Sequence, residues 1–251
     1  MLYEGQRENE THYEYWKGTD ISACYISLKT GRFVRPNIKL KENERVILNK
    51  NYFEIAPKLL WRQTAQYPIA VVDRMGKWFG RSIQAGLINS RYIKLFCYEY
   101  LCCLLNSKYI RNIYEFTVRE AGRVFPQVKL EKLKPLPIKL IDISKQRFFI
   151  ILYEYIENLK NNEKSSMVSL FERLTDLMVY EVYLENEIRS ADCEVLKHLA
   201  NLPELKDDWN DEKKLAVIEK VYKELIDPKH PVSIAMARMK EVPEVKIIEG
   251  N

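Results

Sequence analysis

The 251 residues include only three histidines (His12, His198 and His230) and eight glycines, and no two prolines are adjacent. Each shortage excludes a chemistry. No histidine sits in a context that ties a Ser or Cys nucleophile to a base. There is no Gly-x-Gly turn to hold a methyl donor and no Asn/Asp-Pro-Pro-aromatic loop to grip a flipped base, which argues against methyl transfer by this chain alone. A phosphate-cradling Gly-Lys-Ser/Thr loop is missing as well. The five cysteines show no Cys-x-x-Cys or Cys/His ligand spacing, and Cys102 and Cys103 lie in an apolar helical stretch. They are expected as buried reduced thiols, with no metal site. No apolar run reaches the roughly 18 residues of a membrane span, and the first residues (Tyr3, Glu4, Arg7, Glu8, Glu10) do not form a basic-then-apolar signal. A cytoplasmic chain with no membrane contact is expected. No internal repeat is visible.

What is present is enough for a sizeable core: 47% hydrophobic residues and 12% aromatics, including 16 Tyr and 9 Phe. That composition excludes a disordered chain, and the length suits one large domain or two modest ones. The net charge of +5 is unevenly spread. From Tyr15 to Lys139 there are 23 Lys and Arg against 9 Asp and Glu, a surplus of +14 that leaves −9 elsewhere. The first half is therefore expected to meet a polyanion.

From about residue 15 to 90, short β-branched and aromatic runs alternate with turn residues. "SACYISL" (22–28), "RFVRP" (32–36), "RVIL" (45–48), "KLLWRQ" (58–63), "IAVVD" (69–73) and "KWFGRSIQAGLI" (77–88) read as strands. "DRMGKW" (73–78) reads as a hairpin turn with Gly76 at positive φ. Residues 89–118 change to helical spacing, with Asn89 or Ser90 as the cap and a break near Asn106-Ser107. "REAGRVFPQVKLEKLKPLPI" (119–138) returns to β character, with Val128 and Leu130 inward and Pro135 and Pro137 as its stop. Beyond Asp142, apolar stripes from Phe148 to Leu159 and from Met167 to Val182 predict an antiparallel helical hairpin across "KNNEKSS" (160–166). "DCEVLKHLANL" (192–202) and "DEKKLAVIEKVYKELID" (211–227) predict further helices.

Two constellations bear on function. "PELKDDWNDEKK" (203–214) gathers Asp207, Asp208, Asp211, Glu212 and Lys214, a set loosely compatible with a metal-dependent nuclease, but it lacks a flanking apolar strand and reads better as a solvated loop and helix cap. In the first half, Tyr67, Trp78 and Phe79 read as exposed aromatics interleaved with Arg62, Gln63, Arg74, Lys77 and Arg81. Arg and Lys suit phosphates and guanine edges, and Gln63, Gln66 or Asn89 suit adenine.

"WKGTDISACYIS" (16–27), "FEIAPKLLWRQTAQYPIAVVDRMGKWF" (53–79), "LCCLLNSKYIRNIYEF" (101–116) and "GRVFPQVKLEKLKPLPI" (122–138) together resemble, in order and spacing, the target-recognition (specificity) domain of TaqI-like adenine DNA methyltransferases and type IIG restriction-modification enzymes. "FERLTDLMVYEVYLENEI" (171–188) is similar to the helix that follows that domain in the fused enzymes, so the resemblance spans residues 14–190. It implies an α+β fold: a curled mixed β-sheet recognition domain with a packed helix over 1–142, then a C-terminal helical spacer over 143–251 that docks a partner. It implies motif positions at Pro57, Lys58, Leu60 and Arg62 on a strand, at Leu105, Asn106 and Ser107 on the supporting helix, and at Gly122, Phe125, Pro126 and Val128 on the turn and returning strand. The function it implies is sequence-specific recognition of double-stranded DNA by a non-catalytic subunit or fragment. S-adenosylmethionine and Mg would belong only to a methyltransferase or endonuclease partner. The DNA contacts expected on that basis are Arg32, Arg35, Lys58, Arg62, Arg74, Lys77, Arg81, Arg119 and Arg123. The alternatives are a metal-dependent nuclease subunit, or a helical interaction module with an incidental basic surface.

Overall fold

A computed structural model describes residues 2–36, 49–118 and 126–250. The chain opens with β1 (Leu2–Glu4), β2 (Tyr13–Trp16), β3 (Ile21–Ser22), β4 (Tyr25–Ile26) and β5 (Arg32–Val34), followed by α1 (Lys50–Glu54), β6 (Lys58–Arg62), β7 (Ala70–Asp73), β8 (Trp78–Phe79) and β9 (Ile83–Gly86). These form an antiparallel sheet in the order β7-β6-β9, a sheet in the order β1-β5-β2-β8 with β8 parallel to β2, and the β3-β4 hairpin. The sheet system is mixed, as expected.

Strand side chains alternate between faces, and β6 and β7 use both. Leu59, Trp61, Ala70 and Val72 enter a core shared with the helices, whereas Leu60 and Val71 join Trp16, Ile21, Trp78 and Phe79 in a second core against the other sheet. Burial on both faces explains their near-continuous apolar runs.

The helical part comprises α2 (Tyr98–Asn106), α3 (Lys108–Val118), α4 (Leu130–Leu133), α5 (Ile143–Asn161), α6 (Ser165–Tyr183), α7 (Glu185–Ser190), α8 (Asp211–Leu225), α9 (Pro231–Met239) and α10 (Pro243–Glu249). Asp142 caps α5 by accepting from Ser144 N, so the expected boundary at 142/143 falls on a helix start. The core does not divide there: Trp61 and Val72 belong to the same cluster as Phe149, Phe171 and Met239. Among the described residues no helix is long and apolar enough to cross a membrane.

Several local expectations are corrected. "SACYISL" is the β3-β4 hairpin, turned at Ala23 and Cys24 with Cys24 at φ +55°. "KWFGRSIQAGLI" breaks into β8 and β9 at a turn in which Ile83 N donates to Gly80 O (2.9 Å), and Tyr15 packs across Gly80 so closely that a Cβ there would stand 2.6 Å from its Cζ. "DRMGKW" is a turn but joins no hairpin; it carries the chain from β7 in one sheet to β8 in the other. The Asp73 carboxylate folds it by accepting from Met75 N (2.9 Å) and Lys77 N (2.7 Å). Gly76 has φ +71°, and a Cβ there would meet Glu54 O at 2.8 Å. The helix expected from Asn89 starts instead at Tyr98, capped by Cys97, and Asn89 closes a turn onto Arg91 N. Of the strand expected over 119–138, residues 119–125 lie outside the described residues, and the described part contributes one bridge, Thr64 to Gln127. Val128 is buried as expected, but Leu130 begins α4 and is 49% exposed. "DCEVLKHLANL" yields a single 3-10 turn, Leu196–His198. "RVIL", Gly122 and Phe125 lie outside the described residues.

Lys58 and Asp73 face one another across β6 and β7 and are each 1% exposed, with Nζ 2.7 Å from the carboxylate. Lys58 Nζ also donates to Phe53 O (2.5 Å) and Ile55 O (2.9 Å). Breaking a buried pair leaves an uncompensated charge, so Lys58→Met is expected to destabilise by about 3–5 kcal/mol in urea denaturation. The double variant Lys58→Met/Asp73→Asn should lose less than the two singles added together, and strict additivity would show that the pair does not couple.

Arg74 crosses from the turn to the helices, meeting Glu99 at 2.7 Å and Glu157 at 3.0 Å. Next to it, burial pushes the Glu154 carboxyl up to about 7 against the pull of Arg74, with Glu99, Glu157 and Asp207 adding to the rise. The folded chain thus holds this proton to higher pH than the unfolded chain, and the stability it contributes is full below the ordinary carboxylate value and lost as pH rises through about 7. Glu154→Gln should raise Tm at pH 8, and that gain over the parent should shrink toward nothing near pH 4; a gain independent of pH would refute the assignment.

Candidate nucleic-acid interface

The strand register sorts the expected DNA contacts to two ends of the sheets. At one end, Arg62 closes β6 opposite Ile83, and Gln63 N donates to Ser82 O at 2.9 Å. Ser82 Oγ accepts from Gly18 N at 3.0 Å, so the Gly80–Ser82 loop lies against the 3-10 turn Gly18–Asp20 that follows β2. Val128 N donates to Gln63 O at 2.7 Å and brings Pro126 to Lys129 to the same edge. Arg32, at the start of β5, pairs with Asp20.

Tyr15 marks the point of convergence. Burial raises its hydroxyl pKa, while Arg81 and Arg32 pull it back down, so both guanidinium groups act on one phenol. Arg81 and Lys17 are exposed and, like Lys129, make no ion pair among the described residues. Arg62 is half-buried, with an Nε that is buried and without a hydrogen-bond partner. An edge carrying Lys17, Arg32, Arg62, Arg81 and Lys129, of which Arg32 alone is ion-paired among the described residues, to Asp20, can hold an anion chain. Its free polar side chains are Gln63, Thr64 and Gln127, of which the last two share a β-bridge.

The other expected contacts are placed elsewhere. Lys58 is corrected outright: its ammonium is buried in the Asp73 pair and presents no surface to a phosphate. It lies at the far end of β6 from Arg62, about 13 Å away at the ~3.3 Å rise of a strand. Arg74 spends both of its forks on Glu99 and Glu157 and lies over the Tyr153 ring. Lys77 is 6% exposed, with Nζ 3.9 Å over the Trp16 ring; burial lowers its pKa, opposed by Asp73 and Glu14. Arg35 is half-exposed and held by Glu8 at 2.7 Å over the Tyr3 ring. Arg119 and Arg123 lie outside the described residues.

The expected exposed aromatics are also corrected. Trp78 and Phe79 are in the second core, Trp78 stacked on Tyr13 and Phe53 and Phe79 edge-on to Phe53, and Tyr67 is half-buried beneath the Arg111 guanidinium at 3.7 Å. Sequence reasoning missed Tyr15, Lys17, Lys129 and Gln127 as members of the edge. Only the strand pairing brings them beside Arg62 and Arg81, and no local spacing signals it.

The rival acidic loop has the geometry of a cap. Asp207 and Asp208 are exposed, Asn210 accepts from Lys213 N at 2.9 Å, and Asp211 and Glu212 occupy the first turn of α8, where the helix dipole favours them. Among the described residues no group of three His, Cys, Asp or Glu side chains is placed to hold a metal ion. The cysteines are unpaired thiols; Cys24, Cys102 and Cys103 are buried, and Asn106 Nδ2 reaches the first two sulfurs at 3.5 and 3.3 Å.

A comparison with curated proteins finds none that matches. The family model of the TaqI-like C-terminal specificity domain matches residues 13–138, half of the chain. That span runs from the start of β2 to just beyond α4 and contains the whole cationic edge, whereas α5 to α10, with the similarity noted over 171–188, lie beyond it. The chain therefore belongs to the family of TaqI-like C-terminal specificity domains.

Proposed function

We propose that the chain reads double-stranded DNA for a restriction-modification system through the edge built by Lys17, Arg32, Arg62, Arg81 and Lys129. The observation that carries the reading is the convergence of unneutralised cations from four separate segments on one edge of the matched domain. Cations gathered on one edge suit a run of phosphates, which supplies affinity without sequence information. Gln63 and Gln127 stand among them with side-chain amides free to pair with a base edge, adenine being the partner an amide suits best. Such a role belongs in the cytoplasm, where the DNA is.

In this reading the chain is a non-catalytic subunit or fragment of a type IIG-like system. Methyl transfer or cleavage falls to a methyltransferase or endonuclease partner, with the helical region 143–251 available to hold it. S-adenosylmethionine and Mg would serve that partner. The residues here do not fit the methyl donor, since the chain has no Gly-x-Gly turn.

Fluorescence anisotropy with short duplexes at two salt concentrations tests the edge. Arg81→Ala and Arg62→Ala should each weaken binding to all sequences and flatten the log–log salt slope by about 1. Arg35→Ala, at the other end of β5, should change little; an equal loss there would move the interface off the edge, and binding indifferent to salt would remove DNA as the ligand. In selections from a random duplex pool, Gln63→Ala should relax the preference at one base pair by about 1–3 kcal/mol and leave the salt slope intact. A selection that enriches no motif for the parent chain would reduce the role to nonspecific binding.

A further inference from the structure

We propose that the apolar platform beyond the Gly86 end of β9 docks a partner protein that inserts an apolar anchor side chain flanked by carboxylates. A cavity of about 430 Å³ opens there, lined by Leu59, Leu87, Tyr92, Phe96, Leu101 and Ile138. Of the lining side chains Leu87 is 56% exposed and Tyr92 50%, and Ile93 (50%) and Leu140 (53%) are exposed next to Tyr92 and two residues beyond Ile138 along the chain. A cluster of large aliphatic side chains around an open hole is the usual form of an interaction site and a poor surface to leave in water.

The platform is built rather than slack. Gln146, 1% exposed, donates from Nε2 to Leu95 O (2.7 Å) and Ile141 O (3.1 Å), and its Oε1 accepts from Cys97 N (2.9 Å). Tyr100 Oη donates to Lys139 O at 2.7 Å, and Ile88 N donates to Tyr98 Oη at 3.2 Å. Three buried side chains thus hold the two segments, 88–97 and 139–141, at fixed positions beside one hole.

Charge selects the occupant. Arg91 and Lys94 are exposed and make no ion pair among the described residues, and no Asp or Glu occurs from Gly86 to Cys97. A second copy apposed to the same face would bring these cations against their equivalents. Duplex DNA would satisfy them but has no surface to bury several aliphatic side chains. An apolar anchor with carboxylates beside it satisfies both features. The site lies at the opposite end of β9 from Arg62 and Arg81, so a partner and a DNA duplex can be held together. This inference goes beyond the DNA reading, and each can fail alone.

The test is a random-peptide display selection against the full chain, followed by affinity measurements on the parent, Leu87→Asp, Leu140→Asp and Arg91→Glu/Lys94→Glu. Leu87 and Leu140 are more than half exposed, and thermal unfolding verifies that the variants remain folded. Selected peptides should carry a large apolar residue beside Asp or Glu. They should lose at least about tenfold in affinity with Leu87→Asp, Leu140→Asp and the charge reversal, and should bind Arg81→Ala as they bind the parent. The proposal is overturned by a selection that yields no binder dependent on Leu87, or by enrichment of basic peptides. It is also overturned if Leu87→Asp weakens DNA binding, which would assign the platform to DNA, or if it dissolves a concentration-dependent dimer, which would assign it to a second copy.

Discussion

The joint between the two sheets is one buried charge pair. Lys58 begins β6 and Asp73 ends β7, and taking both from water costs several kcal/mol per ion unless every donor and acceptor is used. They are used. The three ammonium protons have Asp73, Phe53 O and Ile55 O as partners, which secures the end of α1, and the carboxylate takes Met75 N and Lys77 N, which shapes the turn into β8. The register of β6 on β7, the approach of α1 and the crossing from one sheet to the other thus depend on the same two residues. A lysine expected from the family resemblance to contact DNA is the hinge pin of the domain.

The free edge of β7 poses a second constraint, because an edge strand with unpaired backbone groups invites other strands. Side chains close it. The Asn106 amide accepts from Ala70 N at 2.8 Å and donates to Ala70 O at 2.9 Å, as a neighbouring strand would, and Tyr153 Oη accepts from Val72 N at 3.0 Å. Ser107, the next residue, breaks the helix by taking Leu104 O and then receives Ile110 N to start α3. The "LLNSK" run is therefore structural at each polar position, and α2 and α5 are held to the sheet by polar contacts as well as by the shared core.

How much of this was legible in the sequence follows from the range of the interactions concerned. The two-faced strands β6 and β7, the break at Ser107, the hairpin of α5 and α6 and the α8 helix are set by neighbours within one or two turns, and periodicity finds them. The contact of Tyr15 with Gly80 and the pairing of Gln127 and Val128 with Thr64 and Gln63 join residues far apart in the chain, so no local spacing signals them. The same holds for the cationic edge. Arg62 and Arg81 stood out as basic residues on a strand and in a turn, but whether such a residue is free depends on carboxylates from distant elements, and that separates Arg81 from Arg74.

The charge asymmetry consequently has two physical meanings. Part of the basic excess in the first half is neutralised internally by the acidic helices: Arg74 by Glu157 of α5, and Lys108 by Glu249 of α10 at 3.6 Å, with its backbone N–H accepted by Asp176 of α6 at 2.9 Å. These pairs fasten α5, α6 and α10 to the turn after β7 and to α3, and their cations are lost to any ligand. Others, Lys17, Arg62, Arg81 and Lys129, have no ion pair among the described residues, and neither do Arg91 and Lys94 beside the apolar platform at the other end of β9. A count of charges along the chain cannot separate these groups. In space they separate: one small sheet carries a cationic edge at the Arg62 end of β6 and an apolar platform at the Gly86 end of β9, and the buried pair of Lys58 and Asp73 lies across β6 and β7 at the end away from Arg62.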